Sequence, residues 1–152
     1  MGIKKEQPHD FQKSLKVGQK GEAEFMELFK DKLTRESGYL EDFTIKRTGK
    51  KLELKTDSYY NSGNFFIEKY SYNKVPGGPD QALSKNVDYF VFFFPATMSI
   101  HCFKTATLAA YLELNYEKPY LINVRNKSHV TQGYLVKRAD LEHLEINIKD
   151  IL

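Results

Sequence analysis

The chain has 152 residues, 41% hydrophobic and 28% charged, an ordinary globular balance that suits one domain (residues 1–152) with a real core. A net charge of +3 and a pI near 8.8 permit a nucleic-acid partner without demanding one. The single Cys102 excludes an internal disulfide and points to a reducing, cytoplasmic setting, and the longest apolar stretch, Tyr89 to Pro95, is too short to cross a bilayer.

Residues Met1 to Gln12 are polar, contain Pro8 and read as a loose arm with neither a signal peptide nor a myristoylation site, since Glu6 stands where that motif needs Ser or Thr. A helical pattern follows from about Val17 to Arg35, with Gly38 as its stop. On a helical wheel Phe25, Met26, Leu28, Phe29 and Leu33 share one face, and Glu22 falls near its middle. A carboxylate on a buried face is costly unless it is paired or holds a metal. Alternatively, Glu22 is a first-turn glutamate favoured by the helix dipole.

Glu41 to Arg47 reads as a strand, Thr48-Gly49-Lys50 as a turn, and Lys51-Leu52-Glu53-Leu54-Lys55-Thr56-Asp57 as the returning strand of a hairpin. Strict alternation puts Leu52, Leu54 and Thr56 on one face and Glu53, Lys55 and Asp57 on the other. A carboxylate and an ammonium two residues apart suit metal-dependent phosphodiester hydrolysis; a solvated strand face with an ion pair is the ordinary alternative. Asp42 meets Glu53 only if the hairpin register brings them together, and an Asp at a strand start is often a cap.

Asn64 to Ser71 is a third strand, and Pro79 opens a short helix through about Lys85, with Gln81 in its first turn. Asp88 to Phe94 is almost continuously apolar, which predicts a central strand covered on both faces. Met98 to Phe103 is the next strand, Thr105 to Leu114 a helix, Tyr120 to Val124 and His129 to Val136 two further strands, and Ala139 to Leu144 a helical turn. The expected class is mixed α/β (α+β), a central mixed β-sheet flanked by helices.

Gly18-Gln19-Lys20-Gly21-Glu22 on a helix, then Asp42, then Glu53-Leu54-Lys55 after a hairpin, resemble the PD-(D/E)XK nuclease superfamily across about Val17 to Phe94. Glu41 departs from the motif's usual proline. The resemblance implies a restriction-endonuclease-like core, as in Holliday-junction resolvases and many phage-encoded nucleases. It implies Asp42 and Glu53 as metal-binding carboxylates, the Leu54 carbonyl completing the shell, Lys55 as catalytic lysine and Glu22 as an additional helix carboxylate. Gln81 corresponds to a glutamine found near the site in several branches. Mg²⁺ or Mn²⁺ would be the cofactor and DNA the substrate of a deoxyribonuclease, most simply an endonuclease acting on branched or single-stranded regions.

Tyr59, Tyr60, Tyr70 and Tyr72 could stack on unpaired bases or line a homodimer interface. Lys46, Arg47, Lys50 and Lys51 at the hairpin tip could track phosphates. An RNA endonuclease and a catalytically silent nucleic-acid-binding module on the same fold are the competing functions. His9, His101, His129 and His143 show no zinc-ligand spacing, and Cys102 reads as core.

Overall fold

Six consecutive apolar residues, Tyr89–Phe94, form a strand in which every residue is buried. Such a strand needs cover on both faces, and the chain supplies it. The computed structural model describes residues 8–9, 11–35, 42–72, 75–116, 121–126 and 130–152.

In chain order the elements are β1 (Pro8–His9), α1 (Phe11–Leu28), β2 (Leu33–Arg35), β3 (Asp42–Ile45), β4 (Lys51–Thr56), β5 (Asn64–Tyr72), β6 (Val75–Pro76) and α2 (Gly78–Ser84). They continue with β7 (Tyr89–Phe94), β8 (Ser99–Lys104), α3 (Thr105–Asn115), β9 (Leu121–Asn126), β10 (Val130–Lys137), α4 (Arg138–Leu141), a 3-10 turn at Glu142–Leu144 and α5 (Ile148–Ile151). The fold is mixed α+β, with two sheets where the sequence predicted one central sheet.

The first sheet is mixed, in the order β2-β3-β4-β7-β8. β2, β3 and β4 are an antiparallel meander, β7 runs parallel to β4, and β8 returns antiparallel to β7. The second sheet joins β9, β10, β5 and β6 antiparallel, and the two-residue β1 adds in parallel along β9.

Alternation along β7 builds two cores. Tyr89, Val91 and Phe93 pack with Phe25 of α1, Phe43 and Ile45 of β3, Leu52 of β4, and Ile148 and Leu152 at the C-terminus. Phe90, Phe92 and Phe94 pack with Phe65 and Ile67 of β5, Tyr134 and Val136 of β10, and Leu108 and Leu112 of α3. Within this second core the Phe65 and Phe92 rings stack with centroids 4.5 Å apart, and Phe103 meets Phe65 edge-on at 5.9 Å. Offset and edge-on pairs of this kind add about 0.5–1.5 kcal/mol each beyond burial. The β2–β3–β4–β7–β8 sheet is therefore the middle layer, with α1 on one face and the second sheet plus α2 and α3 on the other.

Several boundaries differ from the sequence reading. The first helix runs from residue 11 to residue 28 rather than from about 17 to 35. Leu33–Arg35 is a strand because its pairing with β3 buries Leu33 completely opposite Ile45. Glu22 is thus the twelfth residue of the helix, well past the first turn where the dipole would favour it. The expected arm is not wholly loose: Pro8 and His9 pair with Arg125 and Asn126. β5 belongs to the second sheet, and α5 has no counterpart in the sequence reading. The stop at Gly38 lies outside the described residues.

Candidate active site between the two sheets

The β3–β4 ladder pairs Phe43 with Leu52 and Asp42 with Glu53. Residues directly opposite in an antiparallel pair share a face. In the parallel β4–β7 ladder, Glu53 lies beside Phe90 and Lys55 beside Phe92. Those two phenylalanines belong to the core shared with the second sheet, so Glu53 and Lys55 point between the sheets.

They meet a cavity of about 130 Å³ whose lining includes Glu53, Lys55, Glu68, Gly78, Gln81 and Phe92. Glu53 and Lys55 come from β4, Glu68 from β5 of the opposing sheet, and Gln81 from α2. The volume corresponds to a few water molecules at about 30 Å³ each, or to a partly hydrated cation. Lys55 is exposed and Glu68 half-buried, while Glu53 Oε2 is shut off from solvent.

The backbone of β4 adds one more oxygen. The Lys51 carbonyl accepts from the Asp88 amide and the Asp57 amide donates to the Phe93 carbonyl, so odd-numbered residues of β4 turn their backbone groups towards β7. Alternate residues point the other way. The Leu54 carbonyl is therefore turned to the β3 side, where the described ladder stops at Asp42.

The mouth of the cavity is shaped by the turn from β6 into α2. Gly78 has φ +54°, and a Cβ there would sit 2.1 Å from the Glu68 carbonyl oxygen. A Cβ at Gly77 would sit 2.7 Å from Cδ of Glu68. The Lys69–Asp80 ion pair ties β5 to the first turn of α2, one residue before Gln81. Burial alone would lower the Lys69 ammonium, but the hydrogen bond and charge of Asp80 outweigh it and hold its pKa above the usual lysine value. Burial likewise raises the Tyr134 hydroxyl beside it.

The structure thus brings Glu53, Lys55 and Gln81 together, with Asp42 opposite Glu53 in register. It does not bring Glu22 to the cavity. Glu22 lies 7% exposed on the α1 side of the sheet, where Arg35 of β2 donates to its Oε2 at 2.5 Å. Gly21 beside it lets α1 press against β4, since a Cβ there would lie 2.3 Å from Thr56 Cγ2. A helix-face carboxylate needs a partner, and Arg35 is one. Glu68 was not among the sequence-predicted site residues. It extends the Phe65-Phe66-Ile67 run, but only the packing of the second sheet puts it opposite β4.

Beyond the C-terminal end of β4, residues 57–63 form a braced loop. Asp57 Oδ1 accepts from the Tyr59 amide at 2.8 Å. Arg138 donates to the carbonyls of Tyr59, Tyr60 and Asn64, and its guanidinium lies 4.0 Å from the Phe94 ring centroid. Tyr59 and Tyr60 remain exposed, at 62% and 43%. Lys46, Arg47, Lys50 and Lys51 are exposed at the other end of the hairpin. Cys102 is buried, and its thiol is pushed up to about 12, first by burial and then by the Glu145 carboxylate.

Among the described residues no helix is long and apolar enough to cross a membrane. No protein-family model, curated protein or solved structure matches the chain.

Proposed function

We propose that this chain is a divalent-metal-dependent deoxyribonuclease, an endonuclease with a restriction-endonuclease-like core that works in the cytoplasm, of the host if it is phage-encoded. The observation that carries the reading is the register of Asp42 against Glu53, with Lys55 two residues further along β4 on the same face as Glu53. Two carboxylate residues and a backbone carbonyl are hard oxygen donors, which suits Mg²⁺ or Mn²⁺ and not a soft metal. Asp42, Glu53 and the Leu54 carbonyl would hold the cation. When bound, it supplies Lewis-acid polarisation of a phosphate oxygen and lowers the pKa of a coordinated water.

The remaining chemistry belongs to this chain's own side chains. Lys55 brings an ammonium to the cavity edge, where it orients an attacking water and offsets charge growing on the phosphate. Gln81 offers an amide that can donate to a phosphate oxygen. Phe66, Phe90 and Phe92 supply the apolar part of the cavity lining. Glu22, paired with Arg35 on the α1 face of the sheet, acts through β2 and α1 by keeping the meander against the helix.

The second reading is a catalytically silent binding module on the same fold. Among the described residues no three His, Cys, Asp or Glu side chains converge on a metal position. The Asp42 side chain lies outside the described residues.

Cleavage of supercoiled, linear, single-stranded and branched DNA, with an RNA control, separates these readings. The assay uses wild type and Lys55→Ala in Mg²⁺, Mn²⁺ and EDTA. Metal-dependent nicking of circles that Lys55→Ala abolishes is the expected result. Cutting of RNA alone would move the substrate to RNA. No cutting together with no metal binding would leave the silent module.

A further inference from the structure

Three polar side chains converge on the cavity without bonding to one another. Lys55, Glu68 and Gln81 all line it, yet among the described residues none of the three side chains makes a hydrogen bond or ion pair. The absence of a Lys55–Glu68 pair matters most. Opposite charges lining one small cavity ordinarily close on each other when nothing holds them apart. Their backbones are set on different sheets: Lys55 stands on β4 beside Phe92, and Glu68 on β5, with Gly77 and Gly78 close against it. No side chain can be added at Gly77 without displacing the Glu68 carboxylate, and none at Gly78 without striking the Glu68 backbone.

A carboxylate that lines a cavity without a protein partner keeps its acceptor lone pairs available to a ligand. We propose that Glu68 is a working member of the Glu53–Lys55 site, supplying a carboxylate from the second sheet to the divalent cation. This rests on the nuclease reading above and adds a residue to it. Its consequence is structural as well as chemical. Asp42, Glu53 and the Leu54 carbonyl belong to the middle sheet, and Glu68 to the sheet packed over it. Cation binding then ties the two sheets together and stabilises the folded chain in proportion to its affinity.

The test is Mn²⁺ binding by calorimetry, with thermal unfolding in Mn²⁺ and in EDTA, on the full chain as wild type, Glu68→Gln, Glu53→Gln and Lys55→Ala. Glu68→Gln should unfold within a few degrees of wild type in EDTA, since it breaks no bond. It should bind Mn²⁺ about tenfold or more weakly and lose most of the Mn²⁺-induced rise in Tm. Lys55→Ala, which removes a cation from the cavity, should keep or gain affinity. Wild-type affinity in Glu68→Gln beside loss in Glu53→Gln would overturn the role of Glu68 and leave the nuclease reading standing. Wild type that neither binds Mn²⁺ nor cuts would overturn both. Should Glu68→Gln fail to fold, Glu68→Ala and the same titration on Gly77→Ala, whose Cβ displaces that carboxylate, decide the question in the same way.

Discussion

Asp42 and Glu53 are direct partners across the antiparallel β3–β4 ladder, and they are its last described pair. One more residue along β4 is Leu54, whose carbonyl turns to the β3 side. Asp42→Asn and Glu53→Gln should each lower metal-dependent cleavage by at least about a hundredfold, since each removes one charge from the proposed cation site. Combined in one chain, they should cost little more than either alone, because residues acting as a unit are not additive. Single-turnover cleavage rates of the two variants and the double variant check this.

Glu22 and Arg35 offer a separate test. The Glu22 side chain is 9% exposed and that of Arg35 41%, so the pair is half in water. Its loss should cost about 1–3 kcal/mol, less than a fully buried pair. Glu22→Gln should lower the urea midpoint and leave Mn²⁺ affinity unchanged. A fall in Mn²⁺ affinity without a change in the midpoint would return Glu22 to the metal site.

Arg138 holds the loop that carries Tyr59 and Tyr60. Arg138→Ala removes hydrogen bonds to three carbonyls and a stack on Phe94. The expected cost is about 2–3 kcal/mol, with new proteolytic cleavage between residues 57 and 63. Arg138→Lys should not restore the loop, because an ammonium lacks the planar fork that reaches several carbonyls while stacking on a ring. Denaturant titration and limited proteolysis are the measurements.

Stability should fall on the alkaline side. The Cys102 thiol ionises at about 12 in the folded chain against an ordinary value of 9.0. Its folded pKa is raised, so its contribution is complete below pH 9 and is lost as pH rises through the window from 9 to 12. The slope is at most about 1.4 kcal/mol per pH unit. Lys69, also raised, adds its loss in the same direction above its usual value. Urea titrations at pH 8, 9 and 10 should show a shallower decline in Cys102→Ala, and native Cys102 should resist thiol reagents.

Gly78→Ala should destabilise by at least about 2 kcal/mol, combining a positive φ with a Cβ overlapping the Glu68 backbone. Because that turn leads into α2, cleavage should fall as Gln81 shifts. Unfolding and cleavage measured on one preparation separate the two effects.

Part of this protein is written in short-range pattern. Alternation from Lys51 to Asp57 fixes which side chains share a face, and the unbroken apolar run of β7 requires cover on both sides. The helical spacing of Phe25 and Phe29 puts Glu22 against the sheet. Periodicity names a face but not what will lie on it. Tertiary structure decided that the Glu53–Lys55 face looks into a cavity, because a second sheet closes over Phe90 and Phe92. Pairing with β3 decided that Leu33–Arg35 leaves the helix, which gives Glu22 its arginine. Glu68 and Gln81 reach β4 only through contacts 13 to 28 residues distant in sequence, where local propensity carries no information.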